Sequence, residues 1–256
     1  MARKHLLVVA AACLLGAVSS ARAGAPGGTL IDFNDQQPGT IIDHEYIGKG
    51  VDISVQRTSP GPAVATLYNT GRTGEPDPDL QVPFAMGNLG TAGPGGNVLI
   101  IPENNTDSNK DGRIDQPNDE GDRPSGQFTF TFTAPISSFG FDLVDIDGPA
   151  EYNNNAGYFA SFYRNGNLEA RVGFGAFIDP KSPFYDPTVK YGDNSANRIQ
   201  PITARQVGLP NFDQVVLNFG GSGGTDNIFF TPVPEPSALA LVGLALPAMS
   251  MLRRRR

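Results

Sequence analysis

Apolar and polar positions alternate over short stretches between Thr29 and Thr231, and no window in that span repeats at helical spacing. Runs rich in β-branched and aromatic residues are separated by Gly, Pro, Asn and Asp. This pattern predicts strands at Thr29–Phe33, Val51–Gln56, Ala63–Tyr68, Val98–Ile101, Gln127–Thr133, Ile136–Asp145, Tyr158–Arg164, Leu168–Phe174, Gln214–Phe219 and Asn227–Thr231. Phe128, Phe130 and Phe132 alternate with Thr129, Thr131 and Thr133, which gives one aromatic face and one hydroxyl face. Arg164-Asn165-Gly166-Asn167 predicts a hairpin, with Asn-Gly supplying the positive φ of a type I′ turn. Three long irregular segments interrupt the strands: 71–97, the polar 104–125, and 179–196, where Pro180, Pro183 and Pro187 mix with Phe184, Tyr185 and Tyr191. Loops of this length are expected to be functional or disordered, the third a packed one. Gly220 to Gly224 reads as a flexible turn. The expected fold is all-β, an antiparallel β-sandwich of jelly-roll type spanning residues 24–231.

The termini follow a different pattern. Arg3 and Lys4 precede an apolar core from Leu6 to Val18, and Ala21-Arg22-Ala23 forms an A-x-A site. This predicts a signal peptide over residues 1–23, cut between Ala23 and Gly24. A lipoprotein reading would acylate Cys13, but Ala10 stands where a larger aliphatic is expected. At the other end, Pro234-Glu235-Pro236 is followed by an uncharged apolar run from Ser237 to Leu252 and then by Arg253, Arg254, Arg255 and Arg256. The run is a candidate transmembrane helix, slightly short of the roughly 20 residues a bilayer needs. The arginines extend its reach and orient it with the terminus in the cytoplasm. Triplet, apolar span and Arg cluster together resemble the PEP-CTERM sorting signal of Gram-negative bacteria, here residues 232–256. The resemblance implies processing by an exosortase, a transient inner-membrane anchor, and final residence at the cell surface or in the extracellular matrix.

Removing both ends changes the charge. The chain as a whole carries −7, whereas residues 24–231 hold 12 Lys and Arg against 25 Asp and Glu, a net of −13. So acidic a body is a poor nucleic-acid partner, since phosphate neutralisation needs clustered Lys and Arg. It is better matched to divalent cations. With Cys13 in the leader, no thiol remains for disulfides, thiolate catalysis or metal ligation.

Leu30-Ile31-Asp32-Phe33, Pro38-Gly39-Thr40, Gly48 to Ser54, Asp77-Pro78-Asp79-Leu80, Gly96 to Ile101, Phe128 to Phe132 and Leu143-Val144-Asp145-Ile146-Asp147 resemble, in that order, exported PEP-CTERM proteins and a bacterial surface module of carbohydrate-binding, jelly-roll type. That likeness implies a fold and suggests extracellular polysaccharide as a partner.

The strongest chemical motif is Asp107, Asn109, Asp111, Gly112, Arg113, Ile114 and Asp115. Side-chain oxygens at relative positions 1, 3, 5 and 9, Gly at 6 and a backbone carbonyl from Arg113 at 7 are the beginning of an EF-hand-type calcium loop. Position 12 is Asn118 instead of a bidentate Glu, with Asp119 and Glu120 just beyond, and Asp119 completes the expected ligand set. A structural Ca²⁺ with weak, extracellular-type affinity follows. Asp32 with Asp226 and Asn227, near the first and last strands, is a second place for calcium.

Asp142, Asp145 and Asp147 would carry the alternative, a secreted glycoside hydrolase on the same fold; the Glu-x-Asp-x-x-Glu signature of laminarinase-like enzymes is missing. Alternation places Asp145 and Asp147 on one face and Asp142 on the other. His44 has no triad spacing around it and reads as a surface residue. Trp is absent, and Tyr152, Tyr158, Phe159, Phe162 and Tyr163 are the aromatics that either stack on sugars or fill the core. The reading is an exported, non-enzymatic surface or exopolysaccharide-matrix protein, stabilised by calcium.

Overall fold

In the computed structural model the chain describes residues 27–72, 78–147 and 157–234. The cleavage site Ala23–Gly24, the sorting residues Glu235, Pro236 and Arg253 to Arg256, and Tyr152 lie outside the described residues. The strands are Thr29–Ile31 (β1), Ile41–Ile42 (β2), Val51–Arg57 (β3), Ala65–Asn69 (β4), Asn97–Ile100 (β5), Gly126–Val144 (β6), Phe159–Arg164 (β7), Asn167–Gly173 (β8), Ala196–Thr203 (β9), Phe212–Phe219 (β10) and Gly224–Pro232 (β11). Every strand pairing is antiparallel. No helix among the described residues is long and apolar enough to cross a membrane.

One strand organises the rest. The two runs 127–133 and 136–145 are predicted as separate strands, but they form the single 19-residue β6. Its first half, Gly126 to Phe132, lies between β3 and β10. Its second half, Ile136 to Val144, lies between β9 and β11. Beyond β10 follow β7 and β8, and beyond β11 follow β1 and, through β5, β4 and β2. The two layers so formed face each other. Phe130 lies 5.5 Å from Phe139 between ring centroids, and Phe132 lies 4.9 Å from Phe230. The structure is therefore an all-β antiparallel sandwich.

A bulge makes this possible. Thr231 pairs with Ser138 but Pro232 pairs with Ile136, so Ser137 is an extra residue on β6. An extra residue reverses which positions face inward. Phe128, Phe130 and Phe132 point to the core before it; Phe139, Phe141 and Leu143 do so after it. The outer face also changes character. Thr131 and Thr133 are exposed, whereas Ser138, Asp142 and Val144 are buried.

That burial comes from the first long loop. Leu80 and Phe84 pack with Tyr68, Val98, Ile100, Val144 and Ala196 in a second, smaller core on the outer face of the β6–β11 layer. The described part of segment 71–97, expected to be functional or disordered, is thus a structural cover. The Pro-aromatic loop is packed as expected, with Val189 in the main core and Phe184 and Tyr191 against it. The polar loop is held at one end by Arg57 and Glu120, whose ion-paired side chains are both 5 % exposed.

Two strands escape the sequence pattern. β2 is only two residues long. β9 carries Pro201, which normally argues against a strand. It is tolerated because β9 pairs with β6 alone and bulges there: Ile202 pairs with Phe139 and Ile199 with Phe141. Gly140 accommodates the ring, since a Cβ there would sit 3.1 Å from Pro201. The 164–167 hairpin forms as expected, with φ of 51° at Asn165 and 77° at Gly166.

Phe139 is fully buried and its ring meets Phe130, Phe132 and Phe141. Phe139→Ala should lower unfolding free energy by about 3–5 kcal/mol in urea titrations, the cost of an aromatic cavity in a packed core. Leu30→Ala, at a 51 % exposed position, should change it by less than about 0.5 kcal/mol.

Candidate functional site

Three carboxylate assemblies stand out, each built by a different part of the fold. The first is the 107–115 loop. It is anchored by Ile114, which is buried and whose N–H donates to the Gly39 carbonyl at 2.8 Å, and by the Thr40–Arg113 bridge. Asp107 accepts from the N–H groups of Asp111 (3.1 Å) and Gly112 (2.9 Å). Asn109 Oδ1 accepts from Asp111 (2.8 Å) and Asp111 Oδ1 from Arg113 (3.0 Å). Asp115 Oδ2 accepts from Ser108 at 2.7 Å. Each of these side chains therefore caps a backbone N–H within one turn, and Gly112, at φ +83°, makes its bend. The Arg113 guanidinium reaches Asp111 and holds its carboxyl below the usual range.

Position 12 departs from the expected ligand set. Asn118 Oδ1 is enclosed and has no hydrogen-bond partner, whereas Asp119 is turned away and takes the Gly223 N–H. Asn118 lies in a polar cleft of about 530 Å³ that it shares with Arg72, Glu103, Thr106, Ser108 and Asp115.

The second assembly is buried on the outer face of the β6–β11 layer. Asp142, fully enclosed, receives Nε and Nη2 of Arg198 at 2.8 and 2.9 Å. Directly across from it in the β11 ladder lies Asp226. Asn227 Nδ2 donates to both, at 2.8 Å to Asp142 and 3.0 Å to Asp226. Asn227 can do so because β11 bulges there: Asn227 and Ile228, between Asp226 and Phe229, oppose the single residue Phe141 between Asp142 and Gly140, and Asn227 adopts φ +46°. Burial raises the Asp142 carboxyl, while the Arg198 and Asn227 bonds act the other way. Burial also pushes Asp226 up to about 8; a backbone hydrogen bond at Asn227 opposes this, and the charges of Asp142 and Asp32 add to it.

The third assembly lies where β6 ends. Asp145, Asp147 and Asp193 bring carboxylate oxygens within 4.8 Å of one another. Asp145 accepts from the Asn194 N–H at 2.8 Å, and Arg123 lies 3.8 Å from Asp147. Asp145 and Asp147 come together as the alternation predicts, and Asp142 lies apart from them.

The remaining sequence candidates take structural positions. His44 is exposed and bonded to Asp52 at 2.8 Å. Tyr158 and Phe162 belong to the core. The Arg171 guanidinium covers the Phe159 ring at 4.2 Å. The aromatic residue that alternation did not single out is Tyr185, 40 % exposed beside a cleft of about 220 Å³ shared with Phe184, Arg198 and Gln200. No protein-family model matches the chain, and no curated protein matches it.

Asp226 sets a pH dependence. Its folded value lies far above the usual carboxylate value, so between about pH 4 and 8 the folded chain holds one proton more than the unfolded chain. Its contribution is complete below that window and is lost as pH rises through the folded value. In EDTA, urea-derived stability should therefore fall as pH rises from about 5.5 to 8. The difference between parent and Asp226→Asn isolates this slope, and a pH-independent difference would exclude it.

Proposed function

We propose that this chain is an exported, non-enzymatic protein of the bacterial surface or exopolysaccharide matrix, with a calcium-ordered loop. The sequence of the C-terminal tail carries the localisation: Pro234-Glu235-Pro236, an apolar span and four arginines, with a leader at the other end of the chain. In this reading an exosortase cuts near the triplet. The inner-membrane anchor is then a processing stage, and the mature protein keeps neither the apolar span nor the arginines. Its partners are the exosortase and extracellular polysaccharide.

The non-enzymatic assignment draws support from the carboxylates themselves. Asp142 is enclosed and clamped by Arg198, so it has no access to a substrate. Asp145 is 3 % exposed and bonded to backbone. The calcium assignment rests on the spacing of oxygen-bearing residues from Asp107 to Asp115 and on the unpartnered Asn118 oxygen. Asp107, Asn109, Asp111, Asp115 and the Arg113 carbonyl would hold the ion, with the Asn118 amide oxygen in place of a carboxylate. A neutral oxygen at that position fits affinity near the 10⁻⁴ M typical of extracellular calcium modules.

Two measurements test this. In about 5 mM Ca²⁺ the melting temperature should exceed that in EDTA by roughly 5 °C. Amide exchange across residues 107–119 should slow as well, and Asp111→Ala should abolish the slowing. Unchanged exchange in this segment would remove calcium from the loop. In the native host, intact mass of the surface-associated protein should correspond to a chain ending near Pro234; a mass that includes Arg256 would contradict exosortase processing.

A further inference from the structure

The outer edge of β9 is closed one position at a time, with a gap near its end. The Ala196 N–H donates to the Met86 carbonyl at 2.9 Å, and the Ala196 carbonyl accepts from the Leu89 N–H at 3.2 Å. Two residues on, the Asn88 side chain stands in for a partner strand. Its Oδ1 accepts from the Arg198 N–H at 2.6 Å, and its Nδ2 donates to the Arg198 carbonyl at 3.0 Å. At the far end the Thr203 N–H donates to Gln206 Oε1 at 2.8 Å. By the two-residue alternation of a strand, Gln200 is the next position to face outward after Arg198. Gln200 and Pro201 share a single opposite residue, Gly140, in the β6–β9 bulge, so the inner ladder is interrupted here too. Among the described residues, nothing closes the outer edge at Gln200 as the covering loop closes it at Ala196 and Arg198.

The gap opens into the cleft of about 220 Å³ between β9 and the Pro-aromatic loop. The floor of that cleft is apolar: Phe177, Val189, Ile199 and Ile202 are core residues, none more than 5 % exposed. The facing wall is preset, since the Asp186 N–H donates to the Phe177 carbonyl at 2.8 Å and the Thr188 N–H to Asp186 Oδ1 at 2.9 Å. Charge also changes here. The segments that form the cleft, 181–190 and 198–206, carry Lys181, Lys190, Arg198 and Arg205 against Asp186 alone, in a body of net −13. An acidic occupant is repelled by most of the domain and attracted to this part of it. A sugar could bond to Gln200 but would leave the apolar floor unfilled. An extended peptide offers both a backbone for the strand edge and a side chain for the hole.

We propose that the gap at Gln200 docks an extended, acidic peptide segment of a partner protein by strand addition to β9. One large apolar side chain of that segment fills the cleft against Ile199 and Ile202, with Tyr185 at its rim. The site shares no residue with the 107–115 loop and goes beyond the matrix assignment. With one side chain buried and a short stretch of backbone paired, the dissociation constant is on the order of 10⁻⁴ M.

The experiment uses the purified full-length chain in EDTA, so calcium plays no part in it. The probe is the blocked pentapeptide acetyl-EVFVE-amide, and the readout is amide exchange of residues 199–203. Exchange in this segment should slow with half-saturation near 10⁻⁴ M peptide, on the order given above. Acetyl-EVGVE-amide, which lacks the ring, and acetyl-KVFVK-amide, with its charge reversed, should each need at least roughly tenfold more. Tyr185→Ala and the double variant Lys190→Glu, Arg205→Glu change exposed residues and should each weaken the probe about fivefold or more, the second only towards the acidic peptide. No slowing in the parent at millimolar EVFVE, or equal slowing by EVGVE, would overturn the proposal. Slowing by polygalacturonate with EVFVE inert would overturn it as well and give the cleft to an acidic polysaccharide.

Discussion

The sandwich depends on one continuous strand keeping its aromatic side chains in a single core while its two halves belong to different layers. An extended chain alternates faces at every residue, so a strand that crosses between layers must either expose one half of its apolar set or insert a residue. β6 inserts Ser137. The consequence is a row of rings on both sides of the crossing, with Phe128, Phe130 and Phe139 fully enclosed and Phe141 almost so. Because β3, β10, β9 and β11 all take their register from β6, the bulge fixes where every later side chain falls. Asp142 lies on the outer face only because the parity has changed upstream of it.

That outer face separates this sandwich from one that presents an open sheet to a ligand. On the first half of β6 the hydroxyl face is solvated, as Thr131 and Thr133 show. On the second half, Leu80 and Phe84 of the covering loop meet Val144, Val98 and Ile100, and the polar residues beneath are sealed in. Enclosure turns ordinary acidic residues into a high-stakes arrangement. Asp142 can stay charged because Arg198 supplies two bonds in a planar fork. Asp226 has no equivalent, and burial therefore pushes its carboxyl up to about 8.

Much of the architecture was legible from residue order, and the departures have physical reasons. The period-2 patterns at Phe128–Phe132 and at Gln214–Phe219 locate strands because one face is apolar and one polar. Separating β6 at Ala134-Pro135 was natural, since Pro punctuates most strands; here Pro135 is exposed at the crossing, where the ladder with β10 is already interrupted. β9 was hidden by Pro201, which breaks the alternation begun by Arg198, Ile199 and Gln200 and reads as a strand breaker unless the neighbouring Gly140 is known. The cover formed by residues 78–94 left no trace because irregular backbone has no period; only its isolated Leu80 and Phe84 hinted at it. Among the site residues, those from Asp107 to Asp115 form one turn in which the side-chain oxygens accept backbone N–H groups. Asp119, expected to complete the ligand set, is instead buried and takes the Gly223 N–H. The nearness of Asp32 to Asp226 was foreseeable from the pairing of terminal strands, but the role of Asp142 was not: cross-strand neighbours depend on register, and register depends on a bulge that composition does not mark.

The acidic body and the tail are connected by where the protein is expected to spend its life. Thirteen excess negative charges between residues 24 and 231 repel one another and favour expansion wherever salt does not screen them. Inside the cell, where free Ca²⁺ is scarce, carboxylates gathered at Asp107–Asp115 would add to that repulsion. Outside, divalent cations are abundant and each bound ion removes two charges from the total. On the proposed reading, such a chain would gain order on export, while the C-terminal span holds it at the membrane. The arginines of the tail never offset the body's charge in the mature molecule, because in this reading they are removed with the span. In the same reading, cations from the medium would take over the neutralising role and couple folding of the domain to the compartment proposed for it.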